Sequence, residues 1–363
     1  MRRGPEKVSP RERFLHAMRF EAVDRLPILT HAPWDDTLTR WKKEGMESLE
    51  AEFAPFDGPM QSCWLYAGHQ GPIPPFEEKV VAETQEYQDK QNYIGQIRRN
   101  IIGHTSIPYF LRYPVQSRKD WESYKRRLDP YSPGRYPQDW DAVVQARKAA
   151  DAGEICGVAV WGFYGFPREL LGPVQLSYMY YDDPALIAEM NEVWVHYTMK
   201  RLQKGLKEMA FDYVLIWEDN CYNHGMLHSP QVFKEFMAPY YRILIEFLHK
   251  NGIEIISVDS DGNIAEFIPL LLDVGVTAIH PFEVAAGMDV VEIGREYPRL
   301  QIWGGIDKRA LSRGPQAIDQ ELKRVLPAMK RRGGYAAGLD HGIPSDVSLE
   351  NHRHYVKRLL EWS

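Results

Sequence analysis

Acidic and imidazole side chains recur directly after short apolar runs, and these residue types suit metal binding and proton transfer. Asp259 and Asp261 follow an apolar run at 253–258, and His341 follows another at 335–339. Carboxylate and imidazole groups bind divalent cations, and they are also common general acids and bases. Because like charges disfavour joint ionisation, a cluster of such acids requires raised pKa values, a metal ion or a basic substrate.

The elements that must position these side chains alternate along the chain as in a parallel α/β sheet. Helical stretches such as 230–251 and 262–272 separate the apolar runs, and the runs lack the alternation of half-exposed strands. The predicted strands cover 26–30, 63–67, 155–161, 213–217, 253–258, 276–280, 300–303 and 335–339. Eight strands are the number in a (β/α)8 TIM-type barrel. We therefore predict an α/β fold, a single distorted (β/α)8 barrel domain over residues 1–363.

Two stretches add to this pattern. Ser9, Pro10 and Glu12 form the start signal of a helix before the first strand. The region from about 72 to 130 interrupts the βα rhythm, with strand-like segments at 78–88 and 96–102, a turn at 92–95 and a helix at 118–127. We predict a β-hairpin insertion there, at the mouth of the barrel, where inserted loops often shape the binding pocket.

The carboxyl face of a barrel, where strands run into loops, carries the active site. We therefore take residues that follow the predicted strands as site candidates. The catalytic candidates are His341, Tyr164, Tyr222 and His31, and the substrate-binding candidates are Arg168, Trp34, Asp35 and Lys308. Arg168 or Lys308 would hold a substrate carboxylate. His280 also follows a strand, but we predict a rim residue with its own hydrogen bonds, the commoner state of a lone histidine.

Composition and missing motifs exclude other classes of protein. The net charge is −6 and basic residues are scattered, so we expect no nucleic-acid partner. No apolar run approaches the ~20 residues of a membrane span. The N-terminus lacks a signal-type apolar segment, and three well-separated cysteines suit a reducing compartment, so we expect a cytoplasmic protein. Dinucleotide, phosphate-loop and serine-hydrolase motifs are not found.

Several motifs resemble the uroporphyrinogen decarboxylase superfamily. They are Ser9-Pro10-Arg11-Glu12-Arg13-Phe14-Leu15, Asp24-Arg25-Leu26-Pro27, residues 165–172, Trp217-Glu218-Asp219, Ser229-Pro230, residues 304–308 and residues 340–346. The resemblance covers almost the whole chain and implies a distorted (β/α)8 barrel. The superfamily includes the decarboxylase of haem synthesis and cobalamin-linked methyltransferases. Its decarboxylases are commonly dimers, so a homodimer is expected by analogy.

Departures from the superfamily pattern distinguish between these two activities. The decarboxylase grips eight substrate carboxylates with an arginine-rich segment, but the matching residues 29–36 contain no arginine and two acids. Thiol-activating methyltransferases hold zinc with one histidine and two cysteines. The matching positions here are Asp259, Asp261 and His341, so the resemblance implies a divalent metal site, zinc by analogy, with Glu218 as an extra ligand.

The sequence therefore predicts a metal-dependent methyltransferase, similar to members that demethylate aryl ethers. It would move a methyl group from a small-molecule donor to a corrinoid protein, with the metal as Lewis acid. The alternative is a cofactor-free decarboxylase of a smaller substrate, in which Asp35 or Asp259 stabilises an intermediate and His341 or Tyr164 handles a proton. A non-catalytic cobamide or methyl-carrier binder is a third hypothesis.

Overall fold

The computed structural model describes residues 8–59, 68–103, 107–150 and 153–363. The strands are β1 Leu29–Thr30, β2 Gly58–Pro59, β3 Lys79–Glu83, β4 Tyr87–Gln91, β5 Ile97–Ile101, β6 Tyr109–Arg112, β7 Gly157–Trp161, β8 Tyr213–Trp217, β9 Cys221–Tyr222, β10 Gly225–Met226, β11 Ile255–Asp259, β12 Ala278–His280, β13 Gln301–Trp303 and β14 Tyr335–Ala336. The strand predicted at 63–67 lies outside the described residues.

Helices separate most of these strands. They are α1 Pro10–Met18, α2 Asp35–Lys43, α3 Leu49–Phe53, α4 Arg118–Lys125, α5 Trp140–Ala150, α6 Gly165–Leu171, α7 Pro173–Asp182, α8 Pro184–Glu208, α9 Pro230–Phe236, α10 Ala238–Lys250, α11 Phe267–Asp273, α12 Val290–Glu296, α13 Arg309–Ser312, α14 Pro315–Arg332 and α15 Leu349–Trp362. Within the ranges given above, none of them is long and apolar enough to cross a membrane.

A parallel sheet forms the centre of the fold, which confirms the α/β class. Six strands pair in the order β14-β13-β12-β11-β8-β7, and β1 pairs in parallel with β2. A parallel bridge between Ile28 and Ala337 joins β1 to β14. The resulting order of eight parallel strands is consistent with the predicted barrel. No pairing between β2 and β7 is present in the part of the chain that the structure describes, so closure is not directly shown.

Strand residues are buried on both faces of this sheet. Val158, Val160 and Ile216 pack with the surrounding helices, while Ala159 and Leu215 pack in the interior. Helix α1 closes one end of that interior. Its Phe14 ring lies 5.5 Å from the Trp303 ring, and a capping box between Ser9 and Glu12 fixes its start as predicted. The opposite end, where the strands terminate, is left for a cavity.

The structure refines two of the sequence predictions. The helix predicted at 230–251 is interrupted at Met237, because Pro239 has no N–H to continue the α9 hydrogen-bond pattern into α10. The hairpin predicted within 72–130 belongs to a four-stranded antiparallel sheet, β3-β4-β5-β6. Its central turn uses Gly95 at φ +91°, a conformation that glycine adopts without strain.

Candidate active site

The alternation of side chains along β11 and β12 places two polar residues in the sheet interior. Leu215, Ile255 and Ala278 belong to the interior cluster, and every second residue after Ile255 and Ala278 points the same way. Asp259 and His280 continue these series at the carboxyl ends of the strands, where they are register partners. They line a cavity of about 330 Å³, here called the strand-end cavity. Its lining is His31, Ala32, Pro33, Trp34, Asp35, Asp259, Asp261, His280, Pro281, His341 and Gly342.

Asp261 and His341 form an ion pair across this cavity, with Oδ2 and Nε2 3.5 Å apart. Burial disfavours the charged form of both groups. The attraction between the two opposite charges outweighs this effect of burial. The pKa of His341 is therefore raised and that of Asp261 is lowered. His341 is nearly parallel to His31 and Trp34, at ring separations of 5.8 and 6.3 Å. Asp261 therefore favours the protonated form of His341, and the neighbouring rings limit the orientation of its imidazole.

Asp259 and His280 form a second, looser pair at the floor of the cavity. Nε2 of His280 is 3.9 Å from Oδ2 of Asp259, too far for a hydrogen bond. Burial lowers the pKa of His280 to about 3, and its Nδ1 lies 3.2 Å from the Ser257 hydroxyl. Burial and the charges of Asp261 and Asp219 raise the pKa of Asp259 well above its usual value. His280 is therefore neutral near pH 7, and the surroundings of Asp259 oppose its ionisation more than water does.

His31 is a third imidazole in the cavity, and it is also neutral. Only 8% of the residue is exposed, and burial lowers the pKa of its ring to about 3. Its Nε2 has no hydrogen-bond partner in the described structure. An unpaired buried nitrogen is costly unless a ligand completes its bonding. The cavity thus combines one charged ion pair with neutral groups that can still accept or donate hydrogen bonds.

A polar network outside the cavity connects the loops that carry the ion pair. Gly262 donates its N–H to Oε2 of Glu283, and Nζ of Lys308 lies 3.3 Å from Oε1 of the same carboxylate. Asp340 accepts the N–H groups of Lys308 and Val284. Gly262 has φ +81°, and a Cβ there would lie 2.7 Å from the Tyr222 backbone. This network fixes the loop after Asp261 relative to the residue before His341.

Six of the residues predicted for the site line the strand-end cavity, and five do not. Tyr164 is buried beside His228, and Tyr222 is half-exposed on the hairpin of β9 and β10. Arg168 forms an ion pair with Asp219, and Lys308 forms the ion pair with Glu283 described above. Neither cation is free to hold a substrate carboxylate in this structure. Glu218 is the fifth predicted residue that does not line the cavity.

Glu218 caps a helix instead of facing the cavity. It is completely buried, and its carboxylate accepts the N–H groups of Phe163, Tyr164 and Gly165 at 2.7–2.8 Å. These groups lie at and just before the N-terminus of α6, where the first N–H donors lack partners within the helix. The Tyr241 hydroxyl donates to the same carboxylate. Because each oxygen already accepts two hydrogen bonds, we leave Glu218 out of the candidate metal ligands.

The residue that sequence reasoning missed is His280. It was expected to be a rim residue with its own hydrogen bonds, yet it lies in the cavity beside Asp259. Its position is the same as that of Asp259, at the last inward-facing point of a strand. Side chains in β-strands alternate between two faces, but this alternation identifies His280 only once the pairing of β11 with β12 is known.

The cavity suits a divalent cation in the type of its donors but not in their number. The 3.5 Å between Asp261 and His341 matches the ~3.4 Å between two ligands of one tetrahedral zinc ion. A catalytic zinc has three protein ligands. Over the described ranges, no three His, Cys, Asp or Glu residues approach closely enough to hold an ion. The chemistry that we derive below therefore uses side chains alone.

A polar cavity at the carboxyl ends of a parallel α/β sheet is the site architecture of barrel enzymes. Residues 100–362 match the uroporphyrinogen decarboxylase (URO-D) family, and the chain belongs to this family. The resemblance stated from the sequence is thereby confirmed.

Comparisons with individual relatives and solved structures agree with this family assignment. The chain is 28% identical over 144 residues to a uroporphyrinogen decarboxylase of Geobacter metallireducens and 25% identical over 185 residues to one of Vesicomyosocius okutanii. These alignments cover 38% and 48% of the two relatives, less than half of each. A methyltransferase from Methanosarcina mazei has a similar fold, with a TM-score of 0.64 and 16% identity. The similarity covers 98% of this chain and 99% of that one.

Proposed function

We propose that this protein is a methyltransferase that moves a methyl group from a small donor to the corrinoid of a partner protein. The lining of the strand-end cavity carries this proposal. It includes three aspartates and three histidines but no arginine or lysine among the described residues. A substrate with many carboxylates needs several fixed guanidinium or ammonium donors. The cavity therefore disfavours a polycarboxylate such as uroporphyrinogen, and the fold shared with a methyltransferase supports the same choice.

The ion pair suits a methyl donor with an oxygen leaving atom, such as an aryl methyl ether. Breaking the C–O bond leaves negative charge on oxygen, which a proton or a positive group must stabilise. The raised pKa of His341 keeps its imidazolium available as that proton donor near neutral pH. Asp261 orients the ring, while neutral His31 and His280 can hydrogen-bond the rest of the donor. Trp34 supplies an apolar wall at the cavity mouth.

Methyl transfer can be assayed directly with free cobalamin in place of the partner protein. The purified chain is incubated anaerobically with cob(I)alamin and 2-methoxyphenol, and methylcobalamin is followed by its absorbance. We expect enzyme-dependent methylcobalamin, and no release of carbon dioxide from uroporphyrinogen. Carbon dioxide release without methyl transfer from any donor would instead establish the decarboxylase alternative. One observation favours that alternative, because the raised pKa of Asp259 favours its protonated form beside the neutral imidazole of His280.

The zinc predicted from the sequence remains a prediction that needs its own measurement. If Asp259, Asp261 and His341 bind an ion, the ion would supply Lewis-acid chemistry at the donor. Elemental analysis of protein purified without chelators tests this. One zinc per chain that is lost in Asp261→Ala would support the prediction, and substoichiometric metal in the wild-type protein would contradict it.

A further inference from the structure

The strand-end cavity contains more acidic than basic groups. Asp35, Asp259 and Asp261 line it, and the lining described above includes no lysine or arginine. His341 offsets the charge of Asp261, from which it is 3.5 Å away. Lys308, the nearby cation outside the lining, is engaged by Glu283. Among the described residues, Asp35 and Asp259 are thus left without a positively charged partner.

Asp259 is the aspartate whose isolation points to a ligand. No donor in the described residues lies within hydrogen-bonding distance of its carboxyl group, and the closest basic atom is Nε2 of His280 at 3.9 Å. Its side chain is 26% exposed, which places it in contact with the cavity. Its carboxyl group is therefore open to a ligand that enters the cavity and has no protein hydrogen bond to lose among the described residues. His31, also lacking a partner for Nε2, lines the same cavity.

Trp34 adds an aromatic surface to this acidic cavity. The residue is 38% exposed and lines the cavity together with Asp259. A tryptophan face attracts cations through the quadrupole of its ring, most strongly when the cation is poorly hydrated. Methylated ammonium groups are such cations, because their charge is spread over methyl groups that cannot donate hydrogen bonds to water.

We propose that the cavity also accepts a small quaternary ammonium compound as methyl donor, with its charged head against Trp34 and Asp259. This inference rests on the proposed function and adds a second class of donor to the oxygen-bound one. In the reaction the N–CH3 bond breaks, the bonding electron pair stays on nitrogen, and the methyl group joins the reduced corrinoid of the partner. The leaving amine is neutral, so this step requires no proton at the leaving atom. The acidic cavity stabilises the cationic donor and releases the neutral product.

An isosteric pair of probes tests the charge dependence of binding. Choline and 3,3-dimethylbutan-1-ol have the same shape, but only choline carries a positive nitrogen. Titrations of the purified chain, monitored by calorimetry or ligand-observed NMR, should show that choline binds at least tenfold more tightly than 3,3-dimethylbutan-1-ol. Asp259→Asn and Trp34→Leu should each reduce this preference to less than threefold. Asp273→Asn, which removes an exposed carboxylate paired with Arg242, should leave the preference unchanged.

The outcomes separate this inference from the proposed function. Equal affinity for the two probes, or binding of neither, would overturn the ammonium assignment even if methyl transfer from 2-methoxyphenol were observed. A choline preference that survives in Asp259→Asn and Trp34→Leu would overturn the assigned position. A preference lost in both variants supports the cation site, and it would do so even if the methyl-transfer assay failed and removed the proposed function.

Discussion

Two aspartates at opposite ends of the same sheet have opposite environments, since Asp57 is buried and Asp259 faces the cavity. Asp57 precedes β2, and its carboxylate accepts four hydrogen bonds, from Arg13, twice from Arg25 and from the Ile28 N–H, at 2.6–2.8 Å. Asp259 ends β11 and accepts none from the described residues. The first carboxylate holds α1 and the chain before β1 together. The second faces the cavity without a protein hydrogen bond from the described residues, so it is available to a ligand.

The comparison shows that hydrogen-bond satisfaction, rather than residue type, separates the structural acids from the candidate functional acids in this protein. Glu218 belongs with Asp57, since both of its oxygens are fully engaged. Asp261 lies between these two groups in the satisfaction of its carboxylate, because its partner is an imidazole that still faces the cavity. The predictions below test this division by changing one member of each group.

The largest expected effect is a loss of stability when Asp57 is changed. Asp57→Asn removes the negative charge between Arg13 and Arg25, of which Arg13 is 1% exposed. Breaking one partner of a buried ion pair typically costs about 3–5 kcal/mol. Asp259→Asn should change the free energy of unfolding by less than about 1 kcal/mol, because no hydrogen bond is lost. Urea unfolding of the two variants measures both values. Equal destabilisation would refute the division between the two aspartates.

Methyl-transfer activity should depend on a cavity residue and not on Asp57, which is the reverse of the effect expected on stability. For an oxygen-bound donor such as 2-methoxyphenol, His341→Ala removes the proposed proton donor, and methyl transfer should fall by about 10²- to 10⁴-fold. Asp57→Asn, assayed at a temperature where it is folded, should retain the wild-type rate per folded molecule. The cobalamin assay measures both variants. A normal rate in His341→Ala would exclude acid catalysis by this residue.

The sequence predicted the positions of the strands better than the roles of the acidic residues at their ends. Strands such as β8 were located within the predicted range because continuous apolar runs indicate burial on both faces. The roles depend on which face each residue occupies. In Trp217-Glu218-Asp219 nothing indicates that Glu218 points outward, to the unpaired N–H groups of α6. That assignment depends on the alternation along β8, which follows only from the interior position of Leu215.

The same limitation explains His280. Its register partner is Asp259, but strand pairing is a long-range property that a single sequence does not specify. His341, Asp261, Asp259, His31, Trp34 and Asp35 were found because each follows an apolar run directly. Tyr164 and Tyr222 also follow such runs, and the loops turn them away from the cavity. Position after a strand is therefore necessary for this site but not sufficient.

A smaller effect is expected in the pH dependence of stability. The folded protein lowers the pKa of Asp261 below its usual 3.8 and raises that of His341 above its usual 6.5. The contribution of the pair is then complete between these two values. It is lost as acid protonates Asp261, and as base deprotonates His341 above 6.5. The difference in unfolding free energy between wild type and His341→Gln should be largest near pH 5 and shrink toward pH 9. A difference independent of pH would contradict the ion pair.

The smallest expected effect concerns the network that connects the cavity loops. Lys308→Met removes the cation between Glu283 and Asp340, at 3.3 and 4.0 Å from their carboxylates. Stability should fall by less than about 1 kcal/mol, because the ammonium group is partly solvated. Methyl transfer should fall by about tenfold, since the loop after Asp261 and the residue before His341 lose a shared contact and the ion pair loses its fixed geometry. Lys207→Met, on the exposed face of α8, is the matched control. If the two variants behave alike in both assays, Lys308 does not position the site, and the loops are held by the hydrogen bonds that Glu283 and Asp340 accept from the backbone.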